Sequence, residues 1–142
     1  MKVSSTKASM QKQLQNAKNT KVRKREYDLE ERTAEFGRRV VRLAKALPND
    51  VVNLTLKRQI TRSGTSVGAN YREACEAASK KDFIHKIRLA KKEARETTYW
   101  IEMVSEANFS LEERLSELCQ ESKELTYILA AIVKSALSKG TK

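Results

Sequence analysis

The chain's one histidine, His85, follows Asp82 in an Asp-x-x-His pattern, a spacing that puts a carboxylate and an imidazole on one face of a helix. Di-iron four-helix proteins need such a pair on each of two helices plus two further glutamates, so one histidine falls short within a chain. Ser63, Ser66 and Cys75 are nucleophile types, but none has a histidine or other base at a recognisable spacing. The run SGTSVG, residues 63–68, places Gly64 and Gly68 four apart, yet it lies inside a helical pattern. A phosphate-cradling loop belongs between a strand and a helix. Cys75 and Cys119 sit outside metal-ligand spacings and read as free, partly buried thiols. The expectation is a protein that is not an enzyme, with no metal, no cofactor and no small-molecule substrate.

The chemistry the residues do offer is positive charge. The 142 residues include 29 Lys and Arg against 18 Asp and Glu, a formal charge of +11. Residues 1–26 hold +7 of it, with eight basic residues and one acidic. Lys21, Arg23, Lys24 and Arg25 form the densest basic run, followed by Arg38, Arg39 and Arg42, then Lys57 and Arg58, then Lys91, Lys92 and Arg95. Such clusters bind nucleic-acid phosphates through counterion release. The plainer account is a solubilising tail and solvated helix faces, balanced along each helix by Glu73, Glu76, Glu93 and Glu96. Tyr71, Tyr99, Trp100 and Tyr127 are expected to be half buried, which leaves phosphate contacts and shape to dominate any nucleic-acid binding.

These residues must be positioned by helices. Four Gly and one Pro, among abundant Ala, Leu, Glu, Lys and Arg, make long helices with short turns. No apolar run approaches the roughly 18–20 residues of a membrane span, and no apolar block opens the chain as a signal peptide, so a cytoplasmic protein without membrane contact is expected. Residues 1–26 carry too few apolar side chains to offset ordering entropy, which predicts a flexible basic arm, disordered or helical only when bound. Asp28 with Glu31 resembles a capping box that opens helix 1, which runs to about Leu47 before Pro48. Helix 2 is expected from about Asp50 to Ala78, with Val52, Leu56, Ile60, Val67, Tyr71, Ala74 and Ala78 inward. Helix 3 follows a Ser79 cap to about Ala107. Ser110 and Glu113 form the clearest capping box and open helix 4, to about Lys139. Corners this short specify an all-α, antiparallel up-down-up-down four-helix bundle over residues 27–139.

The stretch Leu56–Glu76 departs from this pattern, because small and polar residues occupy places where an apolar stripe belongs. Gly64 and Gly68 each cost about 0.8–1 kcal/mol relative to Ala in a helix interior, so close approach of another backbone must compensate.

The run from Ile60 to Val104 resembles the bacterial four-helix-bundle proteins encoded in 23S ribosomal RNA intervening sequences. The resemblance rests on Arg62-Ser63, on Ser66 to Asn70, on Glu73, on Asp82-Phe83, on Ala90 to Glu96 and on Tyr99-Trp100. Helix 1, ending in Leu47-Pro48, fits as well, and the likeness spans about residues 28 to 137. It implies a bundle that assembles into a ring-shaped homopentamer with a basic surface and has no enzymatic activity. It also implies kinship with the accessory protein of the reverse transcriptase in diversity-generating retroelements, hence RNA or a nucleoprotein as partner. The basic arm lies outside the shared region. Arg62, Ser63, Gly64, Ser66, Gly68, Asn70 and Glu73 then read as structural or assembly residues. Arg62, Asn70 and Glu73 would form a buried polar network or face a neighbouring subunit. The function expected is RNA binding by a homo-oligomer. The alternative is a scaffold or accessory subunit that docks an acidic protein partner.

Overall fold

The structure, a computed structural model, describes residues 3–139, with side chains for 9–13 and 29–139. All of its regular elements are helical: α1 (Val3–Ala46), α2 (Val51–Cys75), α3 (Lys80–Ala107), a 3-10 turn at Phe109–Leu111 and α4 (Glu112–Ser138). The chain divides into two compact units, residues 1–32 and 33–142. The first is the N-terminal part of α1. The second is the four-helix bundle, made of the rest of α1 with α2, α3 and α4.

Residues 3–26, expected to be disordered unless bound, belong to α1. Asp28 therefore lies within a helix and does not cap one. The physical reason is the absence of Pro or Gly before Gly37, together with many Lys, Gln, Ala and Arg, all good helix formers.

Within the bundle, α1 ends beside Pro48, and Asp50 caps α2 by accepting the Asn53 backbone N–H at 2.9 Å. Ser79 caps α3 in the same way, its Oγ accepting from the Asp82 N–H at 3.1 Å. α2 stops at Cys75, three residues before the expected end, because the Ala77 N–H turns back to the Ala74 carbonyl at 3.1 Å. The Ser110 capping box does not form. Residues 109–111 take a 3-10 turn, and α4 begins after Leu111 with no side-chain cap.

Phe36, Val40 and Leu43 of α1, Ile60 and Val67 of α2, Ile87, Ile101 and Val104 of α3, and Leu115, Leu125 and Leu129 of α4 form the buried core. Val52, expected inside, is 59% exposed, and its place is taken by Asn53, at 4%. Asn53 is satisfied there: its Nδ2 donates to Asp50 Oδ2 at 2.9 Å, and its Oδ1 accepts from Asn108 Nδ2 at 2.8 Å. This bridge ties the α1–α2 corner to the α3–α4 corner at one end of the bundle. At the C-terminal end, Val133 is buried and Ile132 half-buried.

A hydroxyl layer crosses the middle of the core. Ser63 Oγ of α2 lies 2.9 Å from Thr97 Oγ1 of α3, and Thr98 Oγ1 lies 2.7 Å from Ser122 Oγ of α4. Ser63, Thr97 and Ser122 have no exposed surface. Among the described residues, no buried side-chain N or O lacks a partner.

Candidate nucleic-acid interface

The glycines of α2 meet α1 of the same chain. A Cβ built on Gly64 would fall 2.7 Å from both Val40 methyl carbons, and one on Gly68 would lie 3.3 Å from Thr33 Oγ1 and 3.4 Å from the Thr33 backbone. The close approach anticipated for these residues is thus an intramolecular helix crossing. The neighbouring polar residues turn back on their own helix. Ser66 Oγ donates to the Arg62 carbonyl at 2.6 Å, and Asn70 Nδ2 donates to the Ser66 carbonyl at 2.9 Å.

Arg62, Asn70 and Glu73 do not form one network. Arg62 crosses to α3, pairing with Glu93 at 3.2 Å and with Glu96, whose Oε2 also accepts from the Trp100 indole N–H at 3.0 Å. Glu73 pairs separately with Lys86 of α3 at 2.9 Å, and that carboxylate holds the Lys86 ammonium above the usual lysine range. These links fasten α2 to α3.

One result is a division of charge on α3. Glu93 and Glu96 point to α2, where Arg62 occupies them. Among the described residues, Arg88, Lys91, Lys92 and Arg95 have no ion-pair or side-chain hydrogen-bond partner. The balancing of these cations by Glu93 and Glu96 along the helix, anticipated from spacing, does not occur.

The other candidate cations differ in their commitments. Arg38 and Arg42 both pair with Glu35, at 2.8 and 2.6 Å, and together hold its carboxyl below the usual glutamate range. Lys57 donates to Asn49 Oδ1 at 2.7 Å. Arg39 and Arg58 have no such partner. Lys21, Arg23, Lys24 and Arg25 lie on α1, but their side chains are outside the described residues.

Two of the grooves on the bundle surface contain several of the candidate cations. The first, about 580 Å³, lies between α1 and α2. Ala34, Gly37, Val41, Thr65, Gly68 and Ala69 contribute small or short side chains, and Arg38, Arg42 and Arg72 add charge. The second, about 550 Å³, lies between α3 and α4 and is lined by Lys91, Arg95, Thr98, Tyr99, Glu102, Lys123, Thr126, Tyr127 and Ala130. Its tyrosines are not half buried as expected, since Tyr99 is 51% and Tyr127 76% exposed. The sequence held that signal. Tyr99 is two residues from both Thr97 and Ile101, and Tyr127 two from both Leu125 and Leu129, which puts each about 200° around its helix from the buried stripe. Lys123, absent from the candidate set, joins Lys91 and Arg95 here, and none of the three has a side-chain partner.

His85 is exposed, Cys75 is an exposed free thiol and Cys119 a half-buried one. Among the described residues, no helix is long and apolar enough to cross a membrane.

Comparison with known proteins agrees with this architecture. No curated protein matches the chain. A crystal structure of a protein of unknown function from the S23 ribosomal protein family of Bacteroides thetaiotaomicron is 40% identical, with a TM-score of 0.69. The match covers 75% of this chain and 98% of that one. Residues 25–131 match the model of the 23S rRNA-intervening sequence protein family. With three quarters of its length inside that match and the same four-helix bundle, the chain belongs to the 23S rRNA-intervening sequence protein family.

Proposed function

We propose that this chain is a non-enzymatic bundle that assembles with copies of itself and binds RNA, or an RNA-containing complex, through its basic helix faces. The observation that supports this most is the division of charge on α3. Folding uses Glu93 and Glu96 against Arg62, while Arg88, Lys91, Lys92 and Arg95 have no side-chain partner among the described residues. A helix needing only a solvated face would gain from acids four residues away from those bases. Uncompensated cations raise the local potential and attract polyanions. Lys21, Arg23, Lys24 and Arg25 add further positive charge to the chain. The groove of small side chains between α1 and α2 supports self-association, since it admits the close approach of a second helix; a pentamer is what the family resemblance implies.

The test is affinity for a structured RNA measured between about 50 and 200 mM salt, where an interface of several phosphate contacts weakens steeply. Log affinity is expected to fall linearly with log salt. Absence of binding at the lowest salt, or binding indifferent to salt, refutes the reading. Capture of an acidic protein that survives nuclease treatment, in place of RNA, favours a docking scaffold. Light scattering of the full chain reads the assembly, and a monomer removes the oligomer from the proposal.

A further inference from the structure

We infer that the groove between α3 and α4 holds an unpaired stretch of RNA, with bases stacked on Tyr99 and Tyr127 and phosphates at Lys91, Arg95 and Lys123. This inference rests on the RNA-binding reading above and specifies where and how the strand lies.

The two tyrosines lie outside the buried core. Each keeps more than half of its surface in water, on the side of its helix away from the buried stripe. Exposed aromatic faces beside cations are what a stacking platform needs, because every base offers a π-face while its phosphates seek positive charge. Tyr99 is also held in place by a T-shaped contact with Trp100, at 4.9 Å between ring centroids and 73° between planes.

The charges fit the same occupant. Three cations without side-chain partners share the groove with one carboxylate, Glu102. Lys91, Arg95 and Tyr99 follow each other at four-residue steps, about 6 Å apart along α3, so cations and ring form one row on the groove wall. The volume of about 550 Å³ has room for a base, and the groove adjoins a second hollow between α3 and α4 that shares Glu102 and Lys123 with it. A duplex does not suit it, since its bases present edges and keep their faces stacked on each other.

The probe is a fluorescein-labelled oligouridylate about twelve nucleotides long, within the span of known stacking platforms, set against an RNA duplex of equal length. The full chain should bind the single strand more tightly than the duplex. Tyr99→Ala and Tyr127→Ala should each weaken it roughly five- to a hundred-fold without altering the salt dependence, while Tyr99→Phe and Tyr127→Phe bind like the parent. Gln at Lys91, Arg95 or Lys123 should flatten the slope of log affinity against log salt by about 0.7 each. Both tyrosines are surface residues, and far-UV circular dichroism verifies the fold of each variant. If the alanine variants bind RNA as well as the parent, or the duplex binds more tightly, the groove inference falls and RNA binding stands. If the parent binds no RNA at low salt, both fall.

Discussion

Gly64 packs so closely on Val40 that a Cβ there would stand 2.7 Å from both valine methyl carbons. Val40 has no exposed surface and, being β-branched, one preferred rotamer in a helix, so it has nowhere to move. Gly64→Ala should therefore destabilise the bundle. Overpacking costs about 1–3 kcal/mol, which exceeds the ~0.8–1 kcal/mol that Ala gains in helix propensity. Gly37→Ala should act in the opposite direction. Its Cβ would meet only the Gly64 carbonyl and Thr65 Cα, at 3.7 Å, so about 0.4–1 kcal/mol of stabilisation is expected. Thermal unfolding of the two variants beside the parent measures both signs, and a Gly64→Ala protein that melts higher would contradict the packing described.

Arg62→Gln removes the cation shared by Glu93 and Glu96 and leaves two half-buried carboxylates facing each other. Because Arg62 is about half exposed, solvent screening limits the loss to roughly 1 kcal/mol. The more sensitive reading is optical. Trp100 is the chain's one tryptophan, and its indole N–H donates to Glu96 Oε2, so Glu96→Ala should shift its emission while Glu102→Ala should not.

The Asn53–Asn108 bridge predicts a coupled pair. Asn108→Ala leaves the buried Asn53 Oδ1 without its donor, at roughly 1–3 kcal/mol. A double-mutant cycle of Asn53→Ala and Asn108→Ala by urea denaturation should return a coupling of about 0.5–3 kcal/mol, whereas additive losses would show the bridge contributes nothing.

The pH dependence follows from three surface groups. The Asn53 backbone N–H and side chain hold Asp50 below its ordinary value of 3.8, and Arg38 and Arg42 hold Glu35 below 4.5. Their contributions are complete above those ordinary values and are lost as pH falls through the lower folded ones. Lys86, raised above 10.5 by Glu73, contributes fully below that value and loses it as pH rises through the higher folded one. Urea midpoints should be flat with respect to these groups between about pH 5 and 10. Asp50→Asn should reduce the acid decline, and Lys86→Gln the alkaline one.

The helices were legible because their apolar residues recur at three and four over many turns, and because Asp50 and Ser79 are strong caps beside clear corners. The start of α1 was less so. Low apolar content predicts disorder there, yet the segment lacks any helix breaker. Ser110 and Glu113 had the right spacing for a capping box, but the chain leaves α3 through a 3-10 turn that takes up Ser110, while Glu113 lies in the first turn of α4. Gly64 and Gly68 announced close packing without naming the partner, because sequence spacing does not distinguish α1 of the same chain from a helix of another. Arg62 finds Glu93 and Glu96 more than thirty residues away, a pairing no local pattern encodes. The exposed tyrosines could have been found by counting from the buried stripe.

The contact between Thr98 and Ser122 has a consequence at the surface. Thr98 and Ser122 lie one residue before Tyr99 and five before Tyr127, so their 2.7 Å hydroxyl contact sets how far α4 may slide along α3. A slip of one helical turn would displace one tyrosine from the other by about 5.4 Å and separate the two hydroxyls, each of which would keep only a carbonyl of its own helix, Ala94 for Thr98 and Cys119 for Ser122. The core hydroxyls thus act as a vernier, and the separation of two rings on the outside is calibrated by a polar contact inside.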